Sequence, residues 1–214
     1  MEEMSTRPRS YVSSVRAAAA AEKRRDVIDA AARFLREEPS IATFSLDAIA
    51  KRAGVTRLTV YNQFGSRRGL LEVVFDDIAR RGRLARLSDA ISNPDPWLGL
   101  DHLVEIFCSF WSGDAALGRL HDAGAIDHEF AQAVQDRNER RRTSIRAILQ
   151  RIHENQAPAL ERDSVDLIFA LTSYATYRSL STGRKAPAVC ALLKTACRDA
   201  ARPAAVRPRK EIDA

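Results

Sequence analysis

Apolar residues recur along most of this chain at intervals of three and four, the spacing that puts them on one face of an α-helix. The pattern predicts long helices over residues 15–37, 66–81, 97–112, 127–155, 162–181 and 187–200, and shorter ones over 46–53, 57–64 and 117–124. Prolines and glycines separate these segments, as expected of residues that end helices. They are Pro39, Gly54, Gly113, Gly183 and the run Asn93-Pro94-Asp95-Pro96. We therefore predict an all-α fold.

The stretch from Phe44 to Phe75 carries the densest set of local signals. Ser45 and Thr56 each precede an apolar-periodic segment, and serine and threonine are preferred helix N-caps. Gly54 lies between the two segments, where a glycine in the left-handed conformation commonly ends a helix. These features predict two short helices joined by a tight turn, which is a helix-turn-helix.

The second short helix has an apolar face and a polar face. Val60 and Phe64 are four residues apart and are expected to pack inward. Its other side chains offer amides, hydroxyls and arginine, which can bond base edges and phosphates in a DNA groove. The next helix opens after Ser66 with Arg67, whose charge beside exposed backbone amides suits a phosphate. The candidate DNA contacts are Thr43, Ser45, Thr56, Arg57, Leu58, Thr59, Tyr61, Asn62, Gln63 and Arg67. The competing interpretation is a solvated polar helix in an ordinary bundle.

The run AIAKRAGVTRLTVYNQFGSRRGLL, residues 48–71, resembles the DNA-binding signature of TetR-type transcriptional regulators. In that signature an IA-xx-AGVS helix and turn precede a T-[LFV]-Y-xx-F recognition helix and a Ser-Lys/Arg pair. The matching positions are Ile49, Ala50, Ala53, Gly54, Val55, Thr56, Thr59, Val60, Tyr61, Phe64, Ser66 and Arg67. Two positions depart from it: Leu58 stands where a small residue is frequent, and Gly69 stands where glutamate is frequent. The resemblance is strong over residues 22–80.

The resemblance implies a homodimeric transcriptional regulator with two helical domains. Residues 22–66 would form an N-terminal three-helix DNA-binding domain, and residues 67–201 a helical domain for ligand binding and dimerisation. We expect residues 1–21 to be a flexible basic arm that runs into the first helix, and residues 202–214 to be a disordered tail. The last two helices, about 162–200, would pair with their twins in the dimer. We expect a repressor that a small hydrophobic or aromatic ligand releases from a pseudo-palindromic operator.

The net charge of +6 belongs to the N-terminal part of the chain. Residues 1–86 hold 17 Lys and Arg against 11 Asp and Glu, whereas residues 87–214 hold 17 Lys and Arg against 17 Asp and Glu. A basic excess confined to one part of a chain is the electrostatic footprint of a protein that binds a polyanion. The charge distribution therefore agrees with double-stranded DNA as the partner.

The C-terminal part combines aromatic side chains with a few polar ones, which suits a hydrophobic or aromatic ligand. The candidate ligand contacts are Phe107, Phe110, Trp111, His121, Phe130, Asn138, Tyr174 and Tyr177. Asn138 and Arg141 interrupt the apolar stripe of their helix, so this face either lines a cavity or leaves the core. For each candidate the alternative is an ordinary place in the core.

The sequence carries no signature of catalysis or of a metal site. No second histidine follows His128-Glu129 at the zinc-protease spacing, and no Gly-x-x-x-x-Gly-Lys phosphate loop occurs. The four histidines show no tight ligand spacing with the cysteines. We therefore expect no cofactor and no enzymatic activity. Two alternatives stay open: a helix-turn-helix subunit that docks on DNA, or a nucleic-acid-processing enzyme, each without a sensing pocket.

Three cysteines, Cys108, Cys190 and Cys197, are spread widely, which favours a reducing compartment over a disulfide framework. Cys190 and Cys197 lie seven residues apart on one helix face, so both a thiol redox switch and inert buried thiols are open. No stretch approaches the ~20 apolar residues of a membrane span, and the first residues lack the apolar core of a secretion signal. We expect a cytoplasmic protein.

Overall fold

The computed structural model describes residues 9–153 and 158–202, and almost all of them are helical. The helices are α1 (Arg9–Glu37), α2 (Leu46–Ala53), α3 (Arg57–Phe64), α4 (Arg67–Arg81), α5 (Leu87–Ile91), α6 (Pro96–Gly113), α7 (Ala116–Ile126), α8 (His128–Ile152), α9 (Pro158–Leu171), α10 (Tyr174–Ser181) and α11 (Ala186–Ala201). Short 3₁₀ turns occupy Ile41–Thr43 and Leu84–Arg86. The described residues contain no strand, and the predicted all-α fold is confirmed.

The two chain ends differ in how far the structure describes them. The first helix begins at Arg9, six residues before the predicted start, so residues 9–21 of the predicted flexible arm are helical. Their alanine run explains this, because alanine has the highest helix propensity. Residues 1–8 of the predicted arm and the predicted tail from Pro203 lie outside the described residues.

The chain divides into two compact units. The first contains the described residues of Met1–Asp77 together with Ala115–Phe130, and the second those of Ile78–Asp114 and Ala131–Ala214. The boundary falls within α4 and within α8. The short helix α7 therefore belongs to the first unit, whereas the sequence analysis placed its residues in the regulatory domain.

In the first unit α1 packs against α2 and α7, and α2 packs against α3. Phe34 of α1 meets Phe44 edge to face, with ring centroids 5.3 Å apart. Leu117 and Leu120 give α7 a buried apolar face. Arg119 fixes the register of α7, since its Nε donates a hydrogen bond of 2.9 Å to the carbonyl oxygen of Glu38.

In the second unit α6 packs against α5 and α11, and α11 packs against α9. Polar pairs follow the antiparallel seam between α6 and α11. Arg198 donates from Nε and Nη2 to the two carboxylate oxygens of Asp101, at 2.8 and 2.9 Å. One turn further, Lys194 pairs with Glu105. The seam is thus fixed by two satisfied ion pairs as well as by apolar packing.

The prediction of one helix over residues 162–181 is wrong at residues 172–173. The structure breaks the segment there into α9 and α10. Ser173 Oγ accepts a hydrogen bond of 3.2 Å from the amide of Thr176, so Ser173 is the N-cap of α10. The apolar pattern continues across the break, and periodicity alone therefore gives no sign of it.

The corner between α3 and α4 leaves no room for a side chain at Gly69. A Cβ atom at this position would collide with the backbone carbonyl oxygen of Phe64. Ser66 Oγ accepts a hydrogen bond of 3.0 Å from the Gly69 amide, so α4 is capped without a glutamate at this position. The glycine that departs from the TetR-type signature is therefore needed for the close approach of two helix ends.

We expect Gly69→Ala to lower the free energy of unfolding by about 1–3 kcal/mol, because a backbone atom cannot move aside as a flexible side chain could. Gly113→Ala is the matched control: Gly113 is the last residue of α6, and an added Cβ would meet nothing within 4 Å. Alanine there should be neutral or slightly stabilising. Thermal unfolding followed by circular dichroism measures both, and equal midpoints for the two variants would contradict the prediction.

Candidate nucleic-acid interface

Two side-chain caps and one left-handed glycine set the corner between α2 and α3. Ser45 Oγ accepts a hydrogen bond of 3.1 Å from the Ala48 amide, and Thr56 Oγ1 accepts one of 3.1 Å from the Thr59 amide. Gly54 ends α2 with φ of 66°. The predicted helix-turn-helix is therefore present, with each cap at the predicted residue.

The helix α3 buries Val60 and Phe64 and exposes its opposite face. Leu58 is 64% exposed and Tyr61 is 56% exposed, although both side chains are large. Apolar groups on such a face can contact thymine methyl groups in the major groove, and a phenol can reach a phosphate. Among the other predicted DNA contacts, the exposed residues are Thr43, Thr56, Arg57 and Asn62, and the half-buried ones are Ser45, Thr59, Gln63 and Arg67.

Several of the predicted contacts also make bonds inside the protein. The hydroxyl of Ser45 is the cap of α2, and the hydroxyls of Thr56 and Thr59 lie 2.9 Å apart in a mutual hydrogen bond. Arg57 forms an exposed ion pair with Asp47, Nε to Oδ2 at 3.3 Å. Arg57 can exchange this partner for a phosphate at little cost, because exposed ion pairs contribute about 0–1 kcal/mol.

An arginine of α1 supports α3 from the inner side. Arg24 donates a hydrogen bond of 3.0 Å from Nη1 to the carbonyl oxygen of Gln63, and its guanidinium carbon lies 4.5 Å from the centre of the Phe64 ring. A cation at the C-terminal end of a helix is favoured by the helix dipole. No pattern in the sequence links Arg24 to α3, so its part in positioning this helix was missed.

Arg67 has a structural role that the sequence did not reveal. Its Nε donates to the carbonyl oxygen of Phe44 at 3.0 Å, and its Nη2 donates to that of Ile41 at 3.3 Å. Its Nη1 lies 3.2 Å from Oδ2 of Asp127, within the same unit. The side chain therefore ties α4 to the loop before α2 and to the residue that precedes α8. Its contact with a DNA phosphate stays a prediction.

Some of the predicted ligand contacts form one aromatic cluster in the second unit. Trp111 lies between three rings, with centroid distances of 6.0 Å to Phe107, 4.7 Å to Phe110 and 5.5 Å to Tyr174. In the same unit Tyr177 is buried and Asn138 is half-buried. The remaining two, His121 and Phe130, belong to the first unit, where His121 is exposed and Phe130 is fully buried.

The second unit also contains a cavity of about 410 Å³ beside the end of α4. Its floor is apolar, formed by Ile78, Ile106 and Phe110, of which only Phe110 was among the predicted ligand contacts. Three arginines and one aspartate stand around it, namely Arg81, Arg83, Arg86 and Asp114. The sequence showed these arginines only as a basic run, because nothing in the pattern places them around a space.

The cysteines favour the inert interpretation over the redox one. Burial, with a smaller contribution from the charge of Asp101, raises the pKa of Cys197 to about 12. Burial also raises the pKa of Cys108 well above its usual range, with neighbouring Cys190 acting in the same direction. Because the thiolate is the reactive form, protonated thiols at neutral pH are poor nucleophiles.

Two further findings concern the part of the chain that the structure describes. Within residues 9–153 and 158–202, no three histidine, cysteine or acidic side chains are grouped so that they could hold a metal ion. Within the same ranges, no helix combines the length and the apolar character that crossing a membrane requires.

Comparison with known proteins matches the N-terminal part of the chain to one family and the whole chain to several solved structures. Residues 27–74 match the family model described as bacterial regulatory proteins, tetR family. No curated protein matches the chain. A solved TetR-family transcriptional regulator from Rhodococcus sp. is similar with a TM-score of 0.69 and 18% identity, over 85% of this chain and 100% of that chain.

Two other solved structures share the fold. One is a TetR-family transcriptional regulator from Mesorhizobium loti MAFF303099, with a TM-score of 0.61 and 15% identity over 85% of this chain and 96% of that chain. The other is the TetR-like regulator LfrR from Mycobacterium smegmatis in complex with proflavine. Its TM-score is 0.56 and its identity 23%, over 85% of this chain and 97% of that chain.

The capped helix-turn-helix, the family match and the shared fold together support a DNA-binding transcriptional regulator. The match over residues 27–74 identifies this part of the chain as a DNA-binding domain of the TetR-family type, and the solved structures share the fold of the whole chain. Regulators of this family are non-enzymatic DNA-binding proteins, so the alternative of a nucleic-acid-processing enzyme is not retained.

We expect Tyr61→Ala to weaken binding to specific and random DNA by the same factor, because we assign the Tyr61 hydroxyl to a phosphate and phosphates carry no sequence information. Tyr61→Phe should lose most of the same affinity, since it removes only the hydroxyl. Fluorescence anisotropy at one stated salt concentration measures both. A change in sequence preference without a general loss of affinity would show that Tyr61 contacts a base.

We expect Arg67→Ala to have two effects. Affinity for all DNA sequences should fall, and the slope of log affinity against log salt should decrease by about 1, as for one lost phosphate contact. The thermal midpoint should fall too, because the carbonyl oxygen of Phe44 loses the Arg67 donor and that of Ile41 loses one of its two donors. A lower midpoint with an unchanged salt slope would limit Arg67 to its structural role.

We expect Asn62→Ala, and likewise Thr59→Ala, to reduce discrimination between specific and random DNA by about 1–3 kcal/mol, the worth of a good base contact. Gln150→Ala is the control for Asn62→Ala, because it removes an exposed amide from the second unit. The readout is the ratio of the two dissociation constants for each variant. An unchanged ratio in Asn62→Ala would contradict its assignment to a base edge.

Proposed function

We propose that this protein is a homodimeric repressor of the TetR family that binds a pseudo-palindromic operator and is released by a small aromatic ligand. The observation that carries the proposal is the exposed face of α3, where Leu58 and Tyr61 project from a helix with its caps in place. A recognition helix of this kind reads one half-site. Two copies related by a two-fold axis would read two half-sites one turn of DNA apart.

Exposed leucines on α9 and α11 support the dimer. Leu167 of α9 is 55% exposed and Leu192 of α11 is 44% exposed, and these two helices pack against each other. Small exposed residues surround the leucines, which permits a second pair of helices to approach closely. They are Ala170, Ala188 and Ala191. A self-complementary apolar patch is what an isologous two-fold interface requires.

The aromatic cluster around Trp111 supports an aromatic ligand. The ring of a ligand can pack against these side chains offset or edge to face, which are the arrangements that aromatic pairs prefer. The similar regulator LfrR is solved in complex with proflavine, a planar aromatic molecule. Repression and release then follow from linkage: the ligand binds more tightly to an arrangement of the dimer that cannot span both half-sites.

A random-oligonucleotide selection against the purified protein tests operator binding directly. We expect a pseudo-palindromic consensus with two half-sites about 10 base pairs apart or a multiple of this distance. A reporter placed behind the consensus should be repressed when the protein is expressed. An asymmetric consensus, or none, would favour the alternative of a DNA-docking subunit.

We expect Leu167→Glu together with Leu192→Glu to give a monomer, because a charge in the core of an apolar interface is not compensated. Operator affinity should fall by about 100-fold or more once the second half-site no longer contributes. Leu98→Glu is the matched control, since Leu98 is a 48% exposed leucine on α6. Sedimentation velocity gives the oligomeric state. A double variant that stays dimeric would place the interface elsewhere.

A further inference from the structure

A guanidinium group is buried in the second unit without a carboxylate. Arg141 lies in the middle of α8 and is only 5% exposed. Among the described side chains none forms an ion pair with it, and the charged neighbour that affects it is the like charge of Arg142. Burial, with Arg142 second, lowers the pKa of Arg141 to about 10, so the group is still protonated at neutral pH. A buried charge without a partner is costly.

The immediate surroundings of Arg141 satisfy it only in part. Its guanidinium carbon lies 4.2 Å from the centre of the Phe169 ring and 5.5 Å from that of Phe107. Its Nη1 donates a hydrogen bond of 2.7 Å to the carbonyl oxygen of Thr172. Its Nε is buried and makes no hydrogen bond. Buried donors without an acceptor are rare in folded proteins, and each one calls for an explanation.

The partners of Arg141 do not need it. The Thr172 carbonyl oxygen also accepts a hydrogen bond of 3.0 Å from Nε1 of Trp111, so it stays satisfied if Arg141 is removed. The Phe169 ring has a second cation in Arg142, whose guanidinium carbon lies 4.1 Å from its centre. Arg142 itself is paired with Asp166. A purely structural role therefore explains the presence of Arg142 but not that of Arg141.

We propose that Arg141 recognises the acidic group of the effector, and that the effector is an aromatic carboxylate. This rests on the proposed function, in which an effector binds the second unit. A guanidinium can donate two parallel hydrogen bonds to one carboxylate, one from Nε and one from the adjacent Nη. The free Nε of Arg141 supplies the donor that the protein leaves unused, and the anion supplies the missing countercharge.

The neighbouring side chains fit the aromatic part of such a molecule. Phe107 touches both Arg141 and Trp111, and Trp111 continues the ring contacts to Tyr174. The break between α9 and α10 at Thr172-Ser173 lies directly against Arg141, through the Thr172 carbonyl. The backbone at Thr172-Ser173, next to the proposed site, is therefore not part of a helix. A small displacement of these two residues breaks few backbone hydrogen bonds.

Matched acids and amides test the proposal on the full-length protein. The probes are benzoate and benzamide, 2-naphthoate and 2-naphthamide, and indole-3-acetate and indole-3-acetamide, with binding measured by isothermal titration calorimetry. The two members of each pair have nearly the same shape, but only the acid is charged at neutral pH. We expect at least one acid to bind about tenfold or more tightly than its amide, as two charge-assisted hydrogen bonds to a buried arginine would give. The absence of any such preference overturns the proposal.

Three variants test which arginine causes the preference for the acid over the amide. Arg141→Met should remove it, Arg141→Lys should keep part of it because the charge remains, and Arg142→Met should leave it intact. A preference that survives Arg141→Met, or that is lost in Arg142→Met, overturns the proposal. A preference lost in Arg83→Met but kept in Arg141→Met would assign the acid to the cavity beside α4 instead, and would also overturn it.

Two further measurements distinguish a ligand-binding role of Arg141 from a structural role, and failure of this proposal from failure of the proposed DNA-binding function. Thermal unfolding of Arg141→Met should show a midpoint about 2–4 °C higher than the parent, because an uncompensated buried charge is removed. A lower midpoint would indicate a structural role and counts against the proposal. Operator affinity without ligand should be unchanged in all these variants. Operator binding that holds while the acid preference is absent would leave the DNA-binding proposal standing and refute the ligand class alone.

Discussion

The burial of Val60 and Phe64 beneath α3 is the constraint on which the DNA-binding face depends. An isolated helix of eight residues is not stable in water, so the orientation of α3 must come from its anchors. The two inward side chains fix its rotation, the Thr56 cap fixes its beginning, and Arg24 holds its end. Because the rotation is fixed, the exposure of Leu58 and Tyr61 is a consequence of packing on the other side.

The same unit includes a segment from much later in the chain. Arg67 bonds Asp127, and Arg119 of α7 bonds the carbonyl oxygen of Glu38, so the 115–130 segment is attached to the unit at two points by arginine. Both arginines also donate hydrogen bonds to backbone carbonyl oxygens, those of Phe44 and Glu38. A displacement of α7 would therefore disturb the loop before α2 directly. The unit that binds DNA is accordingly larger than the contiguous stretch that carries its signature.

How much the sequence predicted depended on whether the determinant was local. Helix caps and turn glycines act within four residues, and Ser45, Gly54 and Thr56 were all identified correctly. The break at Thr172-Ser173 is also local, but the apolar pattern runs across it and concealed it. The short helix α5 was missed because the basic run before it gave no apolar period. The roles of Arg24, Arg67 and Arg141 depend on partners 23 or more residues away, and no single-sequence pattern encodes such distances.

Most buried polar side chains that the structure describes in the second unit have hydrogen-bond partners, but His153 at Nδ1 and Arg141 at Nε do not. The seam between α6 and α11 pairs Arg198 and Lys194 with carboxylates, and burial raises the pKa of its Cys108 and Cys197 thiols. Unlike the seam cations, Arg141 has no carboxylate partner among the described residues and leaves its Nε donor unused. Departures from packing and hydrogen-bonding rules in natural proteins are expected mainly at functional sites. Since the TetR-type signature lies entirely in the first unit, this violation is a more specific guide to the ligand than the resemblance itself.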